Sequence, residues 1–429
     1  MNLEKKEGYK ETKLGWIPED WNTPTIIEVF DFLRTTSFSR SQLNYEEENE
    51  ILYIHYGDIH ATYKTPILDF DKVKTIPRLN NDVKLSSTVQ YLQDGDVIIA
   101  DASEDYEGIG TAIELQNVDK KKVISGLHTF ALRDKEDLTL EGFRTYIFKN
   151  PIVKKALKTI ATGSKVFGIS KGNVQKFEIV LPTLPEQQKI ANILNTWDKA
   201  IVAQEKLIAQ KQALKKGLMQ QLLTGKKRFA GFEEEWEVKF ISEITSKIGD
   251  GLHSTPNYDE KGTYYFINGN NLVENKIIIT SNTKKVNHKE FLKHKKLINN
   301  RTILLSINGT IGNVAFYNKE PVILGKSAAY INILENVSKE YIAFQLQAEN
   351  IKNHFKKVAI GSTIKNLGLK AIGKTKIAIP TNTEQEKIVE ILKKSEDEIV
   401  SFQKHLESLK LQKQGLMQQL LTGEKRVKI

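Results

Sequence analysis

Two loops of like composition stand 198 positions apart, Gly163-Ser164-Lys165-Val166-Phe167-Gly168-Ile169-Ser170-Lys171 and Gly361-Ser362-Thr363-Ile364-Lys365-Asn366-Leu367. Ser164, Lys165, Ser170 and Lys171 in the first copy, with Ser362, Thr363, Lys365 and Asn366 in the second, offer hydroxyls, amines and an amide among small residues. Such groups break no bonds by themselves. They hydrogen-bond to phosphate oxygens, which anchors a nucleic acid, or to base edges, which reads it. A structural turn leading into the last strand of each half would use the same residue types. Two further loops share this character. In Lys247-Ile248-Gly249-Asp250-Gly251-Leu252-His253-Ser254-Thr255-Pro256, Gly249 and Gly251 would let backbone approach phosphate while His253, Ser254 and Thr255 donate. In Arg34-Thr35-Thr36-Ser37-Phe38-Ser39-Arg40, Arg34 and Arg40 lie among hydroxyls, the alternative being a flexible surface loop.

Covalent chemistry has little to work with. There is no cysteine, which excludes disulfides, thiol catalysis and thiolate zinc sites. The eight histidines include no His-x-x-x-His pair on a helix, so no metal site is expected. Asp101, Glu104, Asp105 and Glu107 crowd one stretch, but the second half has no matching carboxylates at 307–312, and a solvated loop is the better reading. No Gly-x-x-x-x-Gly-Lys-Ser/Thr phosphate loop is present. Gly108-Ile109-Gly110 and Gly309-Thr310-Ile311-Gly312 read as tight links between strands.

At 429 residues the chain has room for two or three domains, each with its own core. No apolar run approaches the ~18 residues of a membrane span. The start, Met1-Asn2-Leu3-Glu4-Lys5-Lys6, has no apolar stretch after its charges, so a signal peptide is not expected and the cytoplasm is. The net charge of +10 favours a polyanionic partner. Its distribution is uneven: residues 1–182 are formally acidic, whereas 226–383 alone carry an excess of ten positive charges. If the first half binds nucleic acid, it does so with a local basic surface.

The elements that must hold these loops come in two sets. In the first half, β-type runs fall at 50–54, 96–100 and 128–132, followed by a helical stretch at about 141–161 that Pro151 should interrupt. In the second half they fall at 264–267, 303–305 and 329–333, followed by a helix at about 339–358. That order predicts two α+β domains of like topology.

After each comes a long helix, 183–225 and 381–423, opening on a Thr-x-x-Glu capping box (Thr183/Glu186 and Thr381/Glu384) and closing at a glycine. Roughly 40 residues make each about 60 Å long. Leu392, Ile399, Leu406 and Leu420, interrupted by Lys413, form one apolar series of the second helix, and Phe402, Leu409 and Leu416 another. Leu194, Ile201, Ile208 and Leu222, with Trp197 and Leu218, take the corresponding places in the first. This heptad seam predicts that the two helices pair as an antiparallel coiled coil. The alternative is that each packs on its own domain.

The helices end in the same phrase, Gly-Leu-Met-Gln-Gln-Leu-Leu-Thr-Gly, at 217–225 and 415–423. Their entrances are alike: Leu181-Pro182-Thr183-Leu184-Pro185-Glu186-Gln187 and Ile379-Pro380-Thr381-Asn382-Thr383-Glu384-Gln385. An aromatic-acidic-Trp lead-in precedes each globular part, ending at Trp21 and at Trp236. Together with the doubled loops, these features resemble the specificity subunits of type I restriction-modification systems. The likeness spans nearly the whole chain, and the doubled order of parts is more specific than any single motif.

The resemblance implies target recognition domains at 1–182 and 226–380, and long conserved helices at 183–225 and 381–429. Each domain would read one half of a split, asymmetric sequence in double-stranded DNA. The helices would act as a ruler and dock two modification subunits, which methylate adenine N6 from S-adenosylmethionine. Restriction subunits could join to make an ATP-driven nuclease. The 247–256 loop is similar to an early loop of many such recognition domains. Thr383 departs from the pattern by replacing the second proline of the first entrance, which costs only pre-organisation. The chain itself should be no enzyme and hold no cofactor: an adenine methyltransferase needs an Asn/Asp-Pro-Pro-aromatic loop, and Asn150-Pro151-Ile152 lacks the second proline and the ring. A protein-bridging scaffold held by its coiled coil is the competing reading.

Overall fold

The computed structural model describes residues 7–46, 49–63, 65–163 and 165–429. The chain divides into two compact units, Met1–Leu207 with Gln403–Ile429, and Ile208–Phe402. Among the described residues no helix is long and apolar enough to cross a membrane.

The first unit is built on a five-stranded sheet in the order Phe30–Leu33, Thr129–Asp134, Val97–Ala100, Ala112–Gln116, Ile67–Asp69. A four-stranded sheet adjoins it, in which Lys122–Ser125 runs parallel to Ile51–Ile54. Strings of β-branched and aromatic residues form these strands, as their composition predicts. The helical stretch breaks as expected: Arg144–Lys149 ends at Asn150, whose side chain caps Pro151–Thr159 from the position before its N1 proline.

The second unit repeats the plan. Its four-stranded sheet runs Thr245–Asp250, Ala328–Ile333, Thr302–Ser306, Val314–Phe316, and in the adjoining sheet Tyr264–Ile267 runs parallel to Val322–Leu324. Gly108–Gly110 and Gly309–Gly312 link strands in their respective units. One expectation needs correcting. The helix at about 339–358 is two helices, Lys339–Gln347 and Glu349–Val358, because Ala348 is extended at ψ 144°. Ala348 is buried against the core and carries no breaker signature, so packing sets that corner.

The long helices are continuous, Leu184–Leu222 and Asn382–Leu421, beginning at equivalent positions despite Thr383. Gly225 and Gly423 take left-handed backbone at φ 69° and 75° just past their ends. All thirteen apolar seam positions named above are buried or half-buried. Their ends also serve globular cores: Ile190, Leu194 and Leu420 pack with Phe143, Tyr146 and Leu157 in the first unit. Leu222, Ile388 and Leu392 pack with Tyr341, Phe344 and Phe355 in the second. The ends of each helix therefore pack on globular domains.

The polar break in the seam is resolved by pairing. In the first unit Lys413 Nζ lies 2.5 Å from Asp198 Oδ1 and over the Tyr146 ring, and Lys410 Nζ lies 3.0 Å from Glu205. In the second unit Lys215 Nζ lies 2.5 Å from Glu396 and over the Phe344 ring, and Lys211 Nζ lies 2.8 Å from Glu398.

The capping boxes are also corrected. Neither helix-entrance glutamate reaches back to the cap backbone among the described residues. Glu186, fully buried, instead accepts from Trp21 Nε1 at 2.6 Å and from Arg426 Nε at 2.5 Å. Glu384, equally buried, accepts from Trp236 Nε1 at 3.0 Å and from both Nε and Nη2 of Arg228 at 3.0 and 2.8 Å. Thr381 Oγ1 keeps its half of the cap, accepting from Glu384 N at 3.4 Å. A charge-assisted bond to a buried carboxylate outweighs a local capping bond that water can replace.

Candidate nucleic-acid interface

In each unit the paired parallel strands end on a cluster of loops. In the first, Ser125 stands in register with Ile54, and Gly126 follows where a β-carbon would meet the Ile54 carbonyl oxygen at 2.6 Å and the Tyr53 ring at 2.5 Å. The turn that results carries His128 in left-handed backbone, φ 57°. Three backbone bonds lace other loops onto it. Thr36 N donates to Ser125 O at 2.9 Å, Asp101 N to His128 O at 3.0 Å, and Ile169 N to Asp101 O at 2.9 Å.

The second unit reproduces the lacing bond for bond. Leu324 stands in register with Ile267, and Gly325 fills the tight place. Leu252 N donates to Leu324 O at 2.6 Å, Ile307 N to Ser327 O at 3.0 Å, and Leu367 N to Ile307 O at 2.8 Å. So the early loop, the strand-linking loop and the doubled loop of each half converge on one turn. Loops on a rigid sheet edge are where recognition groups are commonly carried.

Within these clusters the individual residues differ. Lys165 and Lys171 are exposed, the Lys171 ammonium 5.2 Å from the Phe32 ring centre. Ser164 lies outside the described residues. Ser170 Oγ accepts from Asn173 N at 3.3 Å and so caps Lys171–Gln175, a structural duty. Ser362, Thr363, Lys365 and Asn366 are all exposed, and the Asn366 backbone pairs with Ile360 and bridges to Asn308. Arg34 is exposed. Arg40 is committed elsewhere, with both terminal nitrogens on Asp58, at 3.0 and 3.2 Å, and one on the Tyr45 hydroxyl at 2.8 Å.

Ser254 and Thr255 are exposed, and His253 Nε2 lies 2.7 Å from Asp250 Oδ2. The glycines of that loop are corrected. A β-carbon on Gly251 would fall 2.2 Å from Leu324 O, and one on Gly249 would fall 2.5 Å from the Tyr330 ring. Both are small for internal packing, so neither leaves backbone open to a phosphate.

Several polar groups in the clusters had no sequence signal. His55 and Tyr56 follow strand Ile51–Ile54, their rings 4.8 Å apart, and the Tyr56 ring lies 5.4 Å from that of His128. His55 Nδ1 accepts from Gly57 N at 3.0 Å, and burial together with the Arg40 charge holds its pKa below the usual histidine range. His128 Nδ1 lies 3.3 Å from Asp101, whose carboxyl is pushed up by burial against the pull of that histidine. In the second unit Asn268 takes the strand-end place of His55, and Lys326 and Ser327 take those of Leu127 and His128. Only the parallel pairing brings these distant positions together. Among the described residues no three metal-ligating side chains cluster. The geometry offers hydrogen-bond donors and acceptors for recognition.

Comparisons with known proteins identify the family. A family model described as "Type I restriction modification DNA specificity domain" matches twice, over residues 18–212 and 233–410. The chain is 26% identical, over its whole length and 99% of the relative, to the putative type I restriction enzyme MjaX specificity subunit of Methanocaldococcus jannaschii. It is 23% identical, again over its whole length and 98% of the relative, to the MjaVIII specificity subunit of the same organism. Among solved structures, the type I restriction-modification S subunit from M. genitalium superposes with a TM-score of 0.54 at 16% identity, covering 97% of this chain and 98% of that one. A chain from a structure describing complex assembly and conformational transition of the type I restriction-modification system gives 0.59 at 17%, covering 95% and 99%. The duplicated match accounts for most of the sequence, and the chain belongs to the type I restriction-modification DNA specificity domain family.

Proposed function

We propose that this chain is the sequence-reading subunit of a type I restriction-modification complex and has no catalysis of its own. Residues 1–182 and 226–380 each read one half of a split, asymmetric target in double-stranded DNA. The observation that carries this is the duplicated lacing of three loops onto one turn, which gives one chain two equivalent recognition edges.

The long helices, 183–225 and 381–429, pair antiparallel and set the gap between the half-sequences. Supporting this, the ion-paired positions rise along the first helix, 198, 205, 211 and 215, as they fall along the second, 413, 410, 398 and 396. Two half-sites on successive turns, about 34 Å apart, suit helices of about 60 Å. The helix surface docks two modification subunits that methylate adenine N6, restriction subunits join them, and the complex works in the cytoplasm. Arg34, Lys165, Lys171, His253, Ser254, Thr255, Ser362, Thr363, Lys365 and Asn366 are the proposed DNA-facing groups. A bridging scaffold without DNA readout would need neither the doubled loops nor the basic second half.

Sequencing methylated adenines in cells carrying and lacking the gene tests the assignment. A two-part motif present only in carriers is expected. No difference, or one continuous motif, would refute it.

A further inference from the structure

The loop clusters hold a pair of side chains whose hydrogen-bonding capacity is half used and half free. His55 and Asn268 occupy the same place in their two units, one residue past the strand that runs parallel to the strand before the turn. Both are half-buried, and each is oriented by a hydrogen bond, His55 to its own loop and Asn268 to the turn after the partner strand. His55 Nδ1 accepts from Gly57 N, so the ring proton sits on Nε2 and makes that atom a fixed donor. Asn268 Oδ1 accepts from Ser327 Oγ at 2.9 Å, and Ser327 Oγ in turn accepts from Gly269 N at 2.9 Å. This chain fixes which end of the amide is which. Oδ1 also packs against Gly325, where a β-carbon would fall 2.2 Å from it, so the amide N–H groups are what remain for another partner.

We propose that these residues are base-reading groups, working from one topological position with different chemistry. His55 donates to a base acceptor, as guanine offers at O6 and N7. Asn268 donates through its amide to a base acceptor, as adenine offers at N7. The inference rests on the DNA-reading assignment above and deepens it. Three features support it. The parallel strands carry both residues to the turn onto which the other loops are laced. The side chains are pre-oriented, which spares ordering entropy on binding. The two halves differ here, His against Asn and His128 against Ser327, while the backbone lacing is the same, as expected of an asymmetric target.

The test uses the chain assembled with its modification subunits and duplexes carrying every single base-pair change through both half-sequences. His55→Asn keeps an acceptor for Gly57 N but lacks the ring donor. Asn268→Asp keeps the acceptor for Ser327 but loses the amide donor. His55→Asn should lower discrimination at one base pair of one half-sequence by about fivefold or more, leaving the other half as it was, and Asn268→Asp should do the reverse. His55→Asn should also keep the salt dependence of binding, which follows phosphate contacts, whereas Asn268→Asp adds a negative charge and is read through discrimination alone. Unchanged discrimination in both variants would overturn the inference. So would equal weakening on all duplexes with a shallower salt slope in His55→Asn, the sign of a phosphate contact. Melting temperatures within a few degrees of the parent exclude unfolding as the cause. If the unaltered complex does not discriminate among the duplexes, the DNA-reading assignment itself fails, and this inference with it.

Discussion

Arg426 Nε lies 2.5 Å from Glu186 Oε1, tying the segment past the second long helix to the first turn of the first long helix. The same guanidinium grips Asp20 with Nη1 at 3.0 Å and Nη2 at 2.7 Å. Arg228 does the equivalent for Glu384 in the other unit. Each globular half is thus locked by an arginine that follows the helix belonging to the other half.

Arg426→Ala should therefore destabilise the first unit by about 1–3 kcal/mol, the range for losing a charge-assisted bond to a buried carboxylate that keeps two donors, Trp21 and Thr183. Arg426→Lys should recover part of it. Urea unfolding measures both, and an unchanged midpoint in Arg426→Ala would contradict the assignment of this lock.

Lys413 and Asp198 are paired where both are largely buried. Lys413→Met alone strands the Asp198 charge and should cost about 3–5 kcal/mol, whereas Lys413→Met with Asp198→Leu should restore most of the loss. A double variant no more stable than the single one would show that the pair does not act as a unit. Leu406→Asp, which places a lone charge in the apolar seam, should cost several kcal/mol with no such rescue.

Glu114 supplies a pH dependence. It is buried, and burial raises its pKa to about 7 despite bonds from Gly142 N and Thr145 N. The folded state binds this proton more tightly than the unfolded chain, so Glu114 lets stability fall as pH rises from about 4.5 to about 7. In Glu114→Gln that part of the slope should vanish, whatever the loss in absolute stability. Unfolding free energies of both proteins across this window decide it, and parallel curves would contradict the prediction.

Much of this architecture is legible in local sequence because its causes are local. Heptad spacing marks Leu194 and Leu392, alternation and β-branching mark the strands at 97–100 and 302–306, and Pro151 marks a helix start. What escapes depends on partners far along the chain. Glu186 has the position of a capping-box residue, but Trp21 and Arg426 claim its carboxylate from 165 and 240 positions away. Gly251 looks like an opening for phosphate until strand pairing sets Leu324 against it. Arg40 looks like a free cation until folding brings Asp58 beneath it. His55 and His128 carry no motif, and only the parallel register of Ile54 with Ser125 makes them neighbours. Lys215 matches Lys413 at the repeat spacing, and that seam lysine was open to reading from the duplication alone.

The purified chain should transfer no methyl group, cut no DNA and hydrolyse no ATP. Incubation with labelled S-adenosylmethionine and DNA checks the first, and incorporation by rigorously pure protein would show catalysis in this chain.

On the proposed function, one chain carries two independent readers at a spacing set by its helices. Replacing residues 22–182 with the first recognition domain of another family member, then mapping methylated adenines in cells that carry the complex, tests it most directly. One half-sequence should change while the other half and the gap persist. A change in both halves, or a motif without a gap, would contradict it.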